Sequence, residues 1–255
     1  MTNNIKLHNN EEFDRMRKAG RIAADCLDYI TEYVRPGIST SEIDKLCHNF
    51  QISKGAVPAP LNYKGFPKSV CTSVNHVVCH GIPSNKILKE GDILNVDVTA
   101  YKDGWHGDTS RMFEVGKVPV KAKKLIKTTY DSMMKAIKIL KENIQLGDIG
   151  ATIQQHVEAN GCSVVQDFCG HGIGENFHKE PSVLHYGKKG TGEKIKSGMI
   201  FTIEPMINLG NYETKTLNDG WTAVTKDKSL SAQFEHTIGI TKDGYEIFTQ
   251  SKTFG

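Results

Sequence analysis

Asp97, Asp108, Glu204 and Glu235 are four carboxylates set, with the imidazole of His171, in segments patterned as strands or strand ends. If they converge on one pocket, the four negative charges repel strongly, so the site holds together only when divalent cations neutralise it. Two such ions balance four carboxylates and make hydroxide accessible from water at neutral pH, which is the chemistry of a two-metal hydrolase. Singly, each acid reads as a solvated or capping carboxylate; the set as a whole favours metal. Four oxygen donors and one imidazole suit Mn2+, Fe2+ or Co2+ and also accommodate Zn2+, and no thiolate cluster points to a structural zinc site.

Local patterning positions these groups. In Ile93–Ala100, alternation puts Leu94, Val96, Val98 and Ala100 on one face and Asn95, Asp97 and Thr99 on the other. An Asp103-Gly104 turn joins this strand to Trp105–Val115 as a hairpin, with Asp97 opposite Ser110, Asp108 opposite Thr99, and the two aspartates diagonal on one face. Gln233, Glu235 and Thr237 share the polar face of another expected strand, whose other face carries Phe234, Ile238 and Ile240. Glu204 precedes Pro205, which places it at an edge or a strand end. His171 lies in Gly170-His171-Gly172-Ile173-Gly174, where the glycines admit close backbone approach. The segment fails as a dinucleotide loop, because Glu175 stands at the third glycine position and no helix follows. His80 and His178 are the remaining chemical histidines. A Cys79-His80 thiol dyad is a poor reading, since neighbours on a strand point to opposite faces.

The elements that must carry these groups follow a repeated order. Phe13, Met16, Ala19, Ala23, Leu27, Ile30 and Val34 mark a helix from about Asn10 to Val34, ended by Pro36-Gly37. Ser39 with Glu42 forms a capping box for a second helix, running to Gly55. Strands are expected at Val70–Cys79, Asp92–Tyr101 and Trp105–Val115. A long helix from about Lys121 to Asn143 and a shorter one from Leu146 to Gly161 then precede strands around Val164, Phe201, Ala223 and Phe234. Gly37-x5-Ile43 aligns with Gly147-x5-Ile153, and Gly91-x-Ile93-x2-Val96-Asp97 with Gly198-x-Ile200-x2-Ile203-Glu204, at offsets of 110 and 107. His80-Gly81-Ile82 echoes His171-Gly172-Ile173, and Asp108-Thr109 echoes Glu235-His236-Thr237. Such ordered matches predict an internal duplication, with two α/β halves at about 11–115 and 120–250 sharing one site.

Composition bounds the alternatives. The 255 residues carry 32 Lys+Arg against 29 Asp+Glu, a net +3 without a dominant block, which gives no specific argument for nucleic acid. Lys121, Lys123, Lys124 and Lys127 read as the solvated face of a helix. Six cysteines without CxxC spacing and a polar MTNNIKLHNN start without a signal peptide predict a reduced, cytoplasmic protein. No apolar run approaches the roughly 20 residues of a membrane span.

The stretches YKGFPKSVCTSVNHVVCHGIP, NVDVTAYKDGWHGDTSRMF, CGHGIG, FTIEPM and DGWTAVTKDKSLSAQFEHT resemble type I methionine aminopeptidases across residues 11–249. The resemblance implies the pita-bread α/β (α+β) fold, a pseudo-twofold arrangement around a curved antiparallel sheet with flanking helices, as one metallopeptidase domain over residues 1–255. It implies that Asp97, Asp108, His171, Glu204 and Glu235 hold two divalent ions (Co, Mn, Fe or Zn), with Asp108 and Glu235 bridging. His80 and His178 would then contact substrate and stabilise the tetrahedral intermediate, and Glu204 would also shuttle the proton. The methionine pocket would comprise Tyr63, Phe66, Cys71, Phe177 and Trp221, and a monovalent Na+ or K+ site on backbone carbonyls would fall near Asn75, Val77 and Ser231. Pro60 stands where many relatives carry cysteine and Phe66 where many carry tyrosine.

The implied activity is removal of the initiator methionine from nascent polypeptide N-termini by a monomeric cytoplasmic hydrolase, with transient ribosome contact and neither membrane nor specific nucleic-acid partners. The chain has neither the N-terminal zinc-binding extension of eukaryotic type I enzymes nor the helical insert of type II, which fits a compact bacterial or organellar form. Two rivals are a proline-directed peptidase of the same fold, which usually carries an additional N-terminal domain, and a non-catalytic ribosome- or RNA-binding relative, which would have lost ligands.

Overall fold

A computed structural model describes residues 5–254; the first four residues of the polar N-terminal stretch lie outside the described part. The first apolar stripe forms α1 (Asn10–Ile30), opened by a capping box between Asn9 and Glu12. It stops short of the expected Val34. Thr31 and Tyr33 donate to the Asp28 and Ile30 carbonyls in tight turns, and Pro36 disfavours helix just before it, while Val34 stays buried and keeps the apolar pattern going. Ser39 and Glu42 form the expected capping box of α2 (Thr40–Ser53). There follow β1 (Val57–Pro58), a 3-10 turn at Tyr63–Gly65, β2 (Cys71–Val74), β3 (Val77–Cys79), β4 (Ile93–Lys102) and β5 (Trp105–Glu114). The single strand expected at Val70–Cys79 is two strands. Asn75, at φ 56°, turns the chain between them and ties the turn down by exchanging side-chain hydrogen bonds with Asp92 and the Ile93 N–H.

The order repeats with α3 (Val120–Lys138), α4 (Leu146–Ala159) and ten short strands. The helix α3 ends before the expected Asn143 because residues beyond it pair with another segment: Asn143 donates to the Ile195 carbonyl and Ile195 to that of Ile144. Lys121, Lys123, Lys124 and Lys127 are exposed on α3, as expected of a solvated face. The strands are β6 (Ser163–Val164), β7 (Gly170–Gly172), β8 (Lys179–Val183), β9 (Ile200–Ile203), β10 (Met206–Asn208), β11 (Thr214–Thr216), β12 (Ala223–Thr225), β13 (Ser231–Gln233), β14 (His236–Thr241) and β15 (Gly244–Ile247). The strand expected around Phe234 is thus interrupted, with Phe234 and Glu235 between β13 and β14.

All pairings are antiparallel. The strand β4 pairs with β5, β1 and β2, while a five-stranded sheet runs β15-β14-β9-β7-β8, and two smaller sheets run β13-β10-β6 and β11-β12-β3. Helices cover the outside. Leu94, Val96, Val98 and Ala100 of β4 share a buried cluster with Leu27 and Ile30 of α1 and Ile43 and Cys47 of α2. Leu125, Met133 and Ile137 of α3 and Ile149 and Ile153 of α4 cluster with Phe201, Ile203, Ile207 and Phe234. Each such side chain contributes about 1.5–3 kcal/mol by leaving water. Burial of the apolar strand faces against helices leaves the opposite faces, with Asn95, Asp97 and Thr99, turned toward the interior between the sheets. All six cysteines are free, and among the described residues no helix is long and apolar enough to cross a membrane.

Candidate metal centre and its cavity

The β4–β5 hairpin has the expected register, with Asp97 opposite Ser110 and Asp108 opposite Thr99. Thr99 donates its hydroxyl to Asp108 Oδ1 at 2.7 Å. The Thr237 hydroxyl accepts from the Asp108 N–H at 3.2 Å and donates to the Asp108 carbonyl at 2.7 Å. Glu235 is tied to the same strand: its N–H donates to the Ser110 carbonyl at 3.1 Å, and its carbonyl accepts from the Thr109 hydroxyl at 2.7 Å. Glu204 follows the last residue of β9, a strand end as expected, although β9 is interior to its sheet rather than an edge. Its Oε1 accepts from the Thr202 hydroxyl at 2.7 Å, Gln233 Nε2 lies 3.4 Å from its Oε2, and its N–H donates to the buried His185 Nε2 at 3.1 Å.

His171 sits in β7, its N–H donating to the Thr202 hydroxyl at 3.0 Å. The glycine beside it is required by close approach, because a Cβ on Gly172 would lie 2.1 Å from the Glu180 carbonyl oxygen. The 3.1 Å contact of His171 Nδ1 with the Gly172 carbonyl assigns the ring proton to Nδ1. The free Nε2 therefore faces the acids, 3.8 Å from Asp108 Oδ2 and 3.6 Å from Glu204 Oε1. One ligand atom each from Asp108, His171 and Glu235 lies within 4.8 Å of the others.

Asp108, Glu204 and Glu235 are buried, and Asp97 and His171 half-buried, in this cluster. Burial pushes the Asp97 carboxyl up to about 7 and that of Glu204 up to about 8. Asp108 and Glu235 are also pushed well up, first by burial and then by the neighbouring acids. Burial holds His171 down at about 4, so its imidazole is neutral and able to ligate. Four crowded carboxyls thus resist ionisation until positive charge joins them. Among the described residues Glu235 Oε1 is buried without a hydrogen-bond partner, an orphan a cation would satisfy. Cys71 faces Asp97 across β2–β4, but burial raises its thiol far above the ordinary range, which keeps it protonated and outside the donor set. The residues fit divalent cations held by oxygen and one nitrogen.

A cavity of about 410 Å3 opens over these five residues, and His80, His178, Tyr63, Phe66, Cys71, Phe177 and Trp221 also line it. Phe66 meets Trp221 edge-on at 5.2 Å, and Tyr63 lies 4.8 Å from Phe177, so one wall is aromatic. His178 stacks on Phe177 at 4.2 Å and its Nδ1 is 3.0 Å from the Tyr63 hydroxyl. With that phenol donating, Nε2 carries the proton and can donate in turn. Desolvation first, and then the neighbouring His171 imidazole and the Lys64 ammonium, hold His178 well below its ordinary value, and burial lowers His80. His80 adopts φ 55° at the end of β3, a left-handed conformation that costs a histidine energy.

Asn75, Val77 and Ser231 lie off the cavity. The Asn75 carbonyl accepts from the Ser231 N–H at 2.9 Å, and Val77 begins β3, which contacts β13. Sequence reasoning did not assign Thr202, Gln233 or His185 to the site, nor Lys64, Asp167, Phe168, Cys169 and Met206, which also line the cavity. The hairpin register already set Thr99 opposite Asp108, whereas alternation placed Gln233 beside Glu235 without giving it a partner. His185 carried no local signal.

The sequence model of metallopeptidase family M24 matches residues 14–242. The chain is 60% identical over 248 residues to the methionine aminopeptidase of Rickettsia prowazekii, covering 97% of this chain and 96% of that one. It is 53% identical over 250 residues to the methionine aminopeptidase of Escherichia coli strain K12, covering 97% and 95%. The crystal structure of the Rickettsia prowazekii methionine aminopeptidase superposes with a TM-score of 0.96 over 96% of this chain and 100% of that one. The fold extends to the prolidase of Pyrococcus furiosus, at 20% identity and a TM-score of 0.78, where this chain matches 66% of the longer protein.

Proposed function

The chain belongs to metallopeptidase family M24, and we propose that it removes the initiator methionine from nascent proteins and peptides, as a type I methionine aminopeptidase. The observation that carries this is the convergence on one cavity of the five ligand-type residues, two histidines and an apolar wall. Asp97, Asp108, His171, Glu204 and Glu235 would hold two divalent cations, Mn2+, Fe2+, Co2+ or Zn2+. When bound, such ions supply Lewis acidity toward the scissile carbonyl and lower the pKa of water.

The chain's own groups do the rest. Tyr63, Phe66, Cys71, Phe177 and Trp221 hold the methionine side chain and exclude water from it. His178 Nε2 and His80 donate to the oxygen that gains charge in the transition state. Glu204 takes up the proton given up by the attacking water and passes it to the leaving nitrogen. Asn75, Val77 and Ser231 would offer backbone oxygens to one Na+ or K+.

Residues 1–255 act as one metallopeptidase domain whose pseudo-repeats, about 11–115 and 120–250, each supply ligands; the like order of helices and strands in the two supports this. The protein works as a cytoplasmic monomer on nascent chains, with transient ribosome contact. Incubation of a methionyl tripeptide and its N-acetylated form with the purified protein tests the reading. It predicts release of free methionine from the first alone; cleavage of the blocked peptide at the same rate would contradict it.

A further inference from the structure

His106 belongs to neither the ligand set nor the cavity lining, yet three contacts tie it to the segment that carries Phe177 and His178. Its backbone N–H and its ring Nδ1 both lie 2.9 Å from the carbonyl oxygen of Gly174, so both donate to one acceptor and the ring proton sits on Nδ1. Its ring stacks on Phe177 at 5.4 Å with an interplanar angle of 12°. Tyr101, its partner across the β4–β5 hairpin, lies 4.7 Å from the ring and supports it. Gly174 is closely approached by its neighbours: a Cβ there would come within 3.1 Å of Lys179 Nζ and 3.2 Å of Trp105 Cζ3.

His106 and Asp108 are two positions apart on β5 and so share a strand face. One rigid strand therefore carries a ligand-type aspartate and, through His106, backs Phe177, on which His178 stacks at 4.2 Å. The alternative is that His106 is ordinary packing. Packing alone does not require a second donor on a carbonyl already bonded by the same residue's N–H, nor the near-parallel stack on the ring that supports His178.

We propose that His106 is a positioning residue that fixes His178, through Gly174 and Phe177, relative to the strand bearing Asp108. This rests on the aminopeptidase reading above for its kinetic consequence, though not for its structural one.

The test compares wild type, His106→Ala, His106→Phe, His178→Ala and the double variant His106→Ala/His178→Ala. Turnover of a methionyl tripeptide, bound metal and 15N-histidine NMR spectra are measured for each. His106→Ala lowers kcat about 10- to 100-fold with metal content retained, as expected of a misplaced catalytic group. In the His178→Ala background the same change costs less than about twofold, because the group it positions is gone. His106→Phe keeps an aromatic ring on Phe177 and the backbone donor to Gly174 but lacks the ring donor, and falls between wild type and His106→Ala. The His178 resonance, assigned by its loss in His178→Ala, shifts or broadens in His106→Ala. Equal fold-losses in the two backgrounds, or an unmoved His178 resonance, would overturn the proposal. If His106→Ala does not fold, wild-type kcat and an unmoved His178 signal in His106→Phe would overturn it equally. A wild type that leaves the tripeptide intact refutes the peptidase reading, and the His178 resonance then still decides the role of His106.

Discussion

Glu235 is held opposite Ser110 by a single antiparallel bridge, its N–H donating to the Ser110 carbonyl at 3.1 Å. The bridge falls in the gap between β13 and β14, so the chain leaves its own sheet there and pairs with β5. That exchange brings Glu235 within ligand distance of Asp108 and His171. A carboxylate from each half of the chain thereby reaches one point.

Asp108→Ala removes one of these carboxylates and should abolish release of methionine with little loss of fold. The side chain lost is a buried acid crowded by Asp97 and Glu204, and the strand keeps its Thr237 backbone contacts, so the main cost is the Thr99 hydroxyl left without its acceptor, about 1–3 kcal/mol of unfolding free energy. Peptidase assays with metal restored and a thermal melt check both parts. Near wild-type turnover would sink the ligand assignment.

His80→Ala and His178→Ala should each lower kcat roughly 10²–10³-fold while bound metal stays close to normal, since both act on transition-state charge. Metal analysis of the purified variants separates this from ligation. A variant emptied of metal would show that its histidine is a ligand.

The raised carboxyls predict a pH-dependent stability in chelated protein. Glu204 ordinarily titrates near 4.5 and in the fold near 8, so between those values the folded state binds more protons than the unfolded chain. Its contribution is full below about pH 4.5 and is lost as pH rises to about 8. Buried neutral histidines such as His171 (about 4) and His185 (about 3) act in the opposite sense below pH 6.5. The comparison is therefore between wild type and Glu204→Gln at each pH. With chelator, the variant's melting temperature should gain on wild type from pH 5 to pH 8, and a divalent cation should stabilise wild type most at pH 8. A variant melting temperature that falls relative to wild type as pH rises would refute the assigned shift.

The parts legible in sequence were those set by local alternation. Asp97, Thr99, Asp108 and Ser110 fell into register because the Asp103-Gly104 turn fixes the hairpin and leaves one apolar face for helices. Helix ends were misplaced at Val34 and Asn143 because Val34, Leu140 and Ile144 continue the apolar pattern into loops that pack on the same cores, Val34 on that of α1 and α2 and the other two on that of α3 and α4. The interruption at Phe234-Glu235 was not legible, since its cause is Ser110, over a hundred residues away in sequence. Thr202, Gln233 and His185 escaped for a related reason: a buried polar side chain with a distant partner has the same local pattern as a solvated one.

Selectivity at the first substrate residue follows from an apolar, polarizable wall. Phe66 is buried against Trp221 and offers no hydroxyl, so sulfur gains nothing from a directed hydrogen bond there. A norleucyl tripeptide should be cut within about tenfold of the methionyl one, whereas an alanyl peptide should fall by several orders of magnitude, at roughly 1–3 kcal/mol per missing methylene-sized group. Equal kcat/KM for alanyl and methionyl peptides would rule out this pocket.

The most direct measurement is to strip divalent ions from the purified protein and return Mn2+, Fe2+ or Co2+ in fractions of an equivalent under anaerobic conditions, following bound metal and methionine release from a tripeptide together. The five residues predict that activity disappears on stripping, returns with the ion, and saturates by about two bound equivalents per chain. Full turnover by the stripped protein would contradict the account.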